Sequence, residues 1–176
     1  LPAEKDAFGE RIDALSSHAA PLYPVVPGRL VAINGEPVRQ LVSKESQGER
    51  AIRRDLSLTW SADLPKDNHL VAGQWWHERA EAELPGVSVE AELAESLQLK
   101  LGDQLSFTIG GLTRDARVTS LREVNWDSFQ PNFYMIFEPD TLQGMPATYM
   151  TSFHLPPGNE RELVELARAF PSVTLL

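Results

Sequence analysis

The 176-residue chain is long enough for one domain or two small subdomains, and with 42% hydrophobic and 23% charged residues it can bury a real core. It contains no cysteine, which excludes disulfides, thiol catalysis and cysteine-ligated zinc. The net charge of -9 lies entirely in residues 61–176, which makes nucleic acid and anionic lipid poor partners for that half.

The densest part of the negative charge is Glu78, Glu81, Glu83, Glu90, Glu92 and Glu95, read as a solvated face. No apolar run approaches the roughly 20 residues that span a bilayer, and no basic segment followed by an apolar one marks a signal peptide. The chain starts at Leu1 and stops in the apolar run Val173-Thr174-Leu175-Leu176, which reads as a piece of a longer protein.

Ala3 to Leu15 is expected to be a helix, because Phe8, Ile12 and Leu15 fall on one face with charges opposite. Pro21, Pro24 and Pro27 precede the apolar run Leu30-Val31-Ala32-Ile33, and Asn34-Gly35 then predicts a tight turn. Residues 39–55 are polar and without a strong period, which predicts a loop or short helix. Leu56, Leu58 and Trp60 alternate with Ser57 and Thr59 as a half-buried strand, and Leu70-Val71-Ala72 is a further short apolar run closed by Gly73.

Ser88 is read as a helix N-cap, with Glu90 and Glu92 suited to the positive end of the dipole and Val89, Leu93 and Leu97 as the apolar stripe. Leu105, Phe107 and Ile109 alternate with polar residues, Gly110-Gly111 predicts a two-residue hairpin turn, and Thr113 to Leu121 is the return strand. Strands are expected at Phe133 to Phe137, Tyr149 to Leu155 and Val173 to Leu176. Between the last two, Asn159 caps a helix, with Glu162 as in a capping box and Leu163, Leu166, Ala167 and Phe170 on one face.

These elements define an α+β chain. Its outer parts, residues 1–54 and 123–176, read as a split βαβ subdomain, and residues 55–122 as an inserted, more β-rich subdomain.

The search for chemistry finds no complete constellation. Ser152 and His154 would share a face of a strand, but no nucleophile elbow supports a hydrolase. His69, His77 and Glu78 fit no zinc spacing, and no phosphate-cradling glycine pattern is present, so neither an enzyme nor a cofactor is expected. The aromatic stretch VNWDSFQPNFYMIF (Val124–Phe137) divides in two. Phe133 to Phe137 has two apolar faces, as in a covered strand, whereas Trp126 and Phe129 flank Asp127-Ser128 in a turn stopped by Pro131. That turn is read first as a structural corner, with a contact surface as the minority reading. Trp75, Trp76, Trp126 and Phe129 are the candidate binding residues: an exposed apolar patch around them favours binding, whereas the same residues buried favour a mechanical spacer.

Several motifs in order carry a resemblance over nearly the whole chain: YPVVPGRLVAINGEPV (Tyr23–Val38), NHLVAGQWW (Asn68–Trp76), VSVEAELAESLQLKLGDQLSF (Val87–Phe107), RVTSLREVNWDSFQPNFYMIF (Arg117–Phe137) and TSFHLPPG (Thr151–Gly158). The chain resembles the large extracytoplasmic loop of an ABC transporter permease of the MacB/FtsX/LolC superfamily, in its YbbP-like, lysophospholipase-associated branch. The resemblance implies a periplasmic domain of an inner-membrane protein, with a porter-like part and an inserted β-rich part, joined at both ends to transmembrane helices. It implies a separate cytoplasmic ATPase subunit and a lipid-like or hydrophobic substrate. A module that docks and regulates a periplasmic esterase or cell-wall hydrolase is the alternative. No catalytic residue carries over, because such permeases place their ATPase chemistry on another chain.

Overall fold

The computed structural model describes residues 2–16, 19–40, 53–78, 84–128 and 130–175. The polar stretch at 41–52, the acidic residues Glu81 and Glu83, and the binding candidate Phe129 lie outside the described residues. The chain divides into two compact units, one of Leu1–Tyr23, Phe129–Pro131 and Thr148–Leu176, the other of Pro24–Ser128 and Asn132–Ala147.

The larger unit is built on strands β1 (Tyr23–Ile33), β2 (Glu36–Pro37), β3 (Leu56–Trp60), β4 (Asn68–Gly73), β5 (Gly86–Glu90), β6 (Gln104–Ile109), β7 (Leu112–Val124) and β8 (Met135–Phe137). Six of them close on themselves. β1 pairs β3, β3 pairs β8, β8 pairs β5, β5 pairs β7, β7 pairs β6, and β6 returns to β1. Closure removes the exposed edges that an open sheet of this composition would present. β2 extends the ring from β1, and β4 extends it from β7.

The turn chemistry behind this ring is local. Asn34-Gly35, both at positive φ, reverses the chain between β1 and β2, and Gly110-Gly111 reverses it between β6 and β7. The closing pairs are not local: β3 runs parallel to β8 in the register Leu58↔Met135, and β5 runs parallel to β7. Val26, Leu30, Leu58, Val87, Val89, Leu105, Phe107, Ile109, Val118, Met135 and Phe137 supply the core, with Phe107 and Phe137 edge to face at 5.1 Å.

Helix α2 (Ala91–Ser96) leaves β5 directly. Its N-cap is Glu90, not the expected Ser88. The Glu90 carboxylate accepts from the backbone N–H groups of Glu92 and Leu93 at 3.1 and 2.8 Å, while Ser88 and Val89 stay in the strand. Strand propensity and burial on both faces extend β5 two residues beyond the first plausible cap.

The smaller unit holds helices α1 (Pro2–Leu15) and α3 (Glu160–Ala169) and the short strand β9 (Thr148–Met150). Phe8 and Ile12 of α1 and Leu166 of α3 form its buried core, with Leu22, Phe153 and Phe170 packed around it. Phe8 and Phe170 meet edge to face at 5.2 Å. The Ser172 hydroxyl donates to the Glu4 carboxylate and holds that group below the usual carboxylate range.

Several sequence expectations are corrected. β9 ends at Met150 where a strand to Leu155 was expected, and residues 173–175 carry no strand, because Pro156-Pro157 and Pro171 interrupt the segments around them. Asn159 stands before α3 but makes no side-chain cap bond; Glu162 N–H bonds its backbone carbonyl at 3.1 Å instead. The chain passes between the compact units at 23/24, 128/129, 131/132 and 147/148, whereas the sequence division set borders at 54/55 and 122/123. The reason is pairing: β1 and β8 flank β3 in the ring.

Candidate functional site

Four aromatic residues were the sequence candidates for a binding surface, and the structure separates them. Trp75 and Trp76 are 6% and 8% exposed. Their rings lie together at 3.9 Å, and their indole N–H groups donate to the backbone carbonyls of Ala62 and Ser61, both at 2.8 Å. The sequence leaves open whether this pair meets solvent or core; in the structure both tryptophans are core, tied to the 61–62 backbone by polar bonds that a sequence pattern does not show. His77 beside them lies 3.2 Å from Asp63 on the surface.

Trp126 is the opposite case. It is 45% exposed and tilts against the half-buried ring of Tyr134 at 5.1 Å between centroids. The turn that carries it is held by polar contacts on every side. Asn125 N–H donates to the Asp67 carbonyl at 2.9 Å, and Asp127 N–H donates to the Asn125 side-chain oxygen at 3.1 Å. The Asn132 amide reaches back to the Asn125 carbonyl at 3.3 Å. An Asx turn of this kind fixes the backbone locally, independent of the strands on either side.

Beneath the turn lies a buried polar cluster that no sequence motif announced. Arg122 on β7 is fully buried. Its Nη1 donates to Asn68 Oδ1 at 3.0 Å, and its Nη2 to the Phe133 carbonyl at 2.6 Å, with the Ser88 carbonyl at 3.5 Å; its Nε has no hydrogen-bond partner. Burial lowers the basicity of this guanidinium to about 9, and the negative charge of Glu90 works against that loss. Ser120 Oγ donates to Ser88 Oγ at 2.7 Å on the same side of β7. Glu90 N–H donates to the Tyr134 carbonyl at 2.9 Å, so both carbonyls leading into β8 are held from this cluster. A signal was available in Ala116-x-Val118-x-Ser120-x-Arg122: these alternate positions form one buried face that runs from apolar to polar.

The remaining candidates do not converge. Ser152 and His154 lie past the end of β9, and the premise of a shared strand face fails there. Among the described residues no group of three or more His, Asp or Glu side chains is placed to hold a metal ion. An open groove of about 530 Å³ is lined by Pro27, Gly28, Arg29, Val31, Asp55 and Thr108. Arg29 and Asp55 sit 3.5 Å apart there, so its cation and anion offset each other.

Two compact units, one of them displaying a braced aromatic turn, describe a domain that presents a surface; among the described residues no helix is long and apolar enough to cross a membrane. No protein-family model matches the chain. It is 42% identical over 154 residues, 88% of its length, to the protein named "Uncharacterized ABC transporter permease YbbP" of Escherichia coli (strain K12), and that match covers 18% of the permease. The chain therefore belongs with the YbbP-like ABC transporter permeases, as a homologue of one segment.

Proposed function

We propose that the chain is the extracytoplasmic domain of an ABC transporter permease subunit, lying on the periplasmic side of the inner membrane. There it handles or hands over a lipid-like or hydrophobic substrate under control of a separate cytoplasmic ATPase subunit. In this reading the two-helix unit is the porter-like part and the strand ring is the inserted β-rich part. Kinship to a permease supports the transporter setting. The observation that carries the substrate reading is Trp126, a large aromatic nearly half exposed on a turn braced by hydrogen bonds. An exposed indole held in place offers apolar contact area at little ordering cost.

The test is a titration of the chain with single-chain lysophosphatidylcholine below its micelle concentration, followed by calorimetry and tryptophan fluorescence. Saturable binding that weakens about tenfold in Trp126→Ala, a loss of ~1.4 kcal/mol, is the expected result. Absence of binding to the intact chain, or an affinity indifferent to Trp126, overturns it. A response only to a periplasmic esterase would replace substrate handling with protein docking.

A further inference from the structure

We propose that Arg122 is the positioning residue of the Trp126 surface: its guanidinium ties together the two stems of the aromatic turn and so fixes the presentation of the indole. The inference rests on the proposed role of Trp126 and adds the residue that sets its geometry.

The argument is one of connectivity. The chain enters the turn at Val124-Asn125, which is registered against Asn68 and bonded to the Asp67 carbonyl at 2.9 Å. It leaves at Phe133-Tyr134, on the way into β8. Between these stems stands one planar fork, with Nη1 on Asn68 and Nη2 on the Phe133 carbonyl. An arginine suits this task because its donors have fixed directions; a lysine ammonium of the same charge would reach one stem only. The fork is fully buried, so its bonds are not shared with solvent and their loss leaves polar groups unsatisfied.

Its neighbours support the assignment. Glu90 holds the Tyr134 carbonyl through its own N–H while its carboxylate caps α2. Tyr134, held in this way, is the ring against which Trp126 rests. The polar contacts of Arg122 run to Asn68 and to the Phe133 and Ser88 carbonyls, so it acts through the backbone of the turn. A buried cation whose direct partners are an amide and backbone carbonyls is a costly way to fill a core, which points to specificity of geometry over stability.

The experiment uses the whole chain and two readouts. Arg122→Met keeps the length and removes the fork; Asn68→Leu keeps the branched shape and removes both the acceptor for Arg122 and the donor to the Lys66 carbonyl; Asn68→Asp keeps the acceptor alone. Leu105→Ala on β6, buried in the core and away from the turn, serves as a control matched for loss of thermal stability. Amide hydrogen exchange at Asp127 and Ser128 is read by mass spectrometry or NMR, and affinity for the same lysophosphatidylcholine by calorimetry.

Arg122→Met and Asn68→Leu are expected to speed exchange at Asp127 and Ser128 about tenfold or more and to weaken probe binding by about the same factor. Asn68→Asp keeps the acceptor for Arg122 but loses the Asn68 Nδ2 donation to the Lys66 carbonyl at 3.0 Å, so it is expected to fall between the parent and Asn68→Leu in both readouts. Leu105→Ala is expected to leave both readouts unchanged at equal stability. Equal exchange and affinity in Arg122→Met and Leu105→Ala would reduce Arg122 to a structural residue. If Arg122→Met does not fold, Asn68→Leu carries the same comparison. Failure of the site reading shows separately, as an intact chain that does not bind the probe or a Trp126→Ala with parental affinity; the exchange data still decide the clamp.

Discussion

The guanidinium of Arg122 and the backbone carbonyl of Phe133 lie 2.6 Å apart, one four residues before Trp126 and the other seven after it. The contact couples a charged side chain on β7 to the entrance of β8, two strands that are not neighbours in the ring; β5 stands between them. Its Nη1 extends the same tie to the start of β4. One residue thus links elements that pairing alone leaves separate.

Truncation of Arg122 tests its energetic weight. Arg122→Ala removes both stem bonds and leaves buried acceptors and a cavity, an expected loss of ~3–5 kcal/mol. Arg122→Met should cost less, because the thioether chain refills the space and no charge remains to be desolvated. Chemical denaturation of the two variants checks the order. Equal losses would mean that cavity volume does not distinguish them.

The lowered basicity of Arg122 gives a pH signature with a definite sign. Its proton is held only to about 9 in the folded chain and to a distinctly higher pH in the unfolded chain, where water solvates the charge. Between those values the unfolded chain binds the extra proton, so the Arg122 contribution to stability rises with pH; below about 9 it is flat. The difference in unfolding free energy between the parent and Arg122→Met, followed from neutral pH upward, should therefore be constant to about 9 and then grow. A constant difference throughout the alkaline range contradicts the assignment.

Much of the fold was legible because its signals are local. Phe8 and Ile12 mark the buried face of α1, and Gly110-Gly111 marks the hairpin, each through neighbours within a few residues. The ring closure was not legible, since β3 meets β8 and β5 meets β7 across long stretches of chain that no periodicity reports. The same limit explains the site. Trp126 and Trp75 look alike in sequence, and only the carbonyl of Ala62, distant in the chain, makes one of them core. Arg122 reads as a surface charge until Asn68 and Phe133 are placed around it. The Glu90 cap was misread because Ser88 is the stronger local cap, and burial in β5 outweighed that preference.

The tryptophan pair should behave as core in solution. Trp75→Phe and Trp76→Phe each lose one indole bond, an expected cost of ~0.5–1.5 kcal/mol, and replacement of either by alanine should cost ~3–5 kcal/mol. Neither phenylalanine variant should change lysophosphatidylcholine affinity beyond about twofold. Thermal melts and calorimetry on the same samples separate the two effects. A large loss of affinity with unchanged stability would return the pair to the list of binding residues.

Gly73 tests how β4 is fastened to the ring. It sits at φ +78, and a Cβ there would lie 2.1 Å from the Thr119 carbonyl oxygen and 2.9 Å from Ser120 Cα. Those atoms are backbone of β7, so no side-chain rotation relieves the clash. Gly73→Ala must therefore push β4 away from β7 and strain its own backbone, with an expected cost above ~2 kcal/mol. Gly35 has equally positive φ but open space around it, and Gly35→Asn in the Asn34-Gly35 turn should cost less than ~1 kcal/mol, since asparagine tolerates the left-handed region. Because Asn68 begins β4, the displacement in Gly73→Ala should also loosen the Arg122 bond to Asn68. Faster amide exchange at Asp127 in Gly73→Ala, absent in Gly35→Asn, would show that the aromatic turn depends on the seating of β4. Equal exchange in the two variants would confine the effect of Gly73 to its own strand.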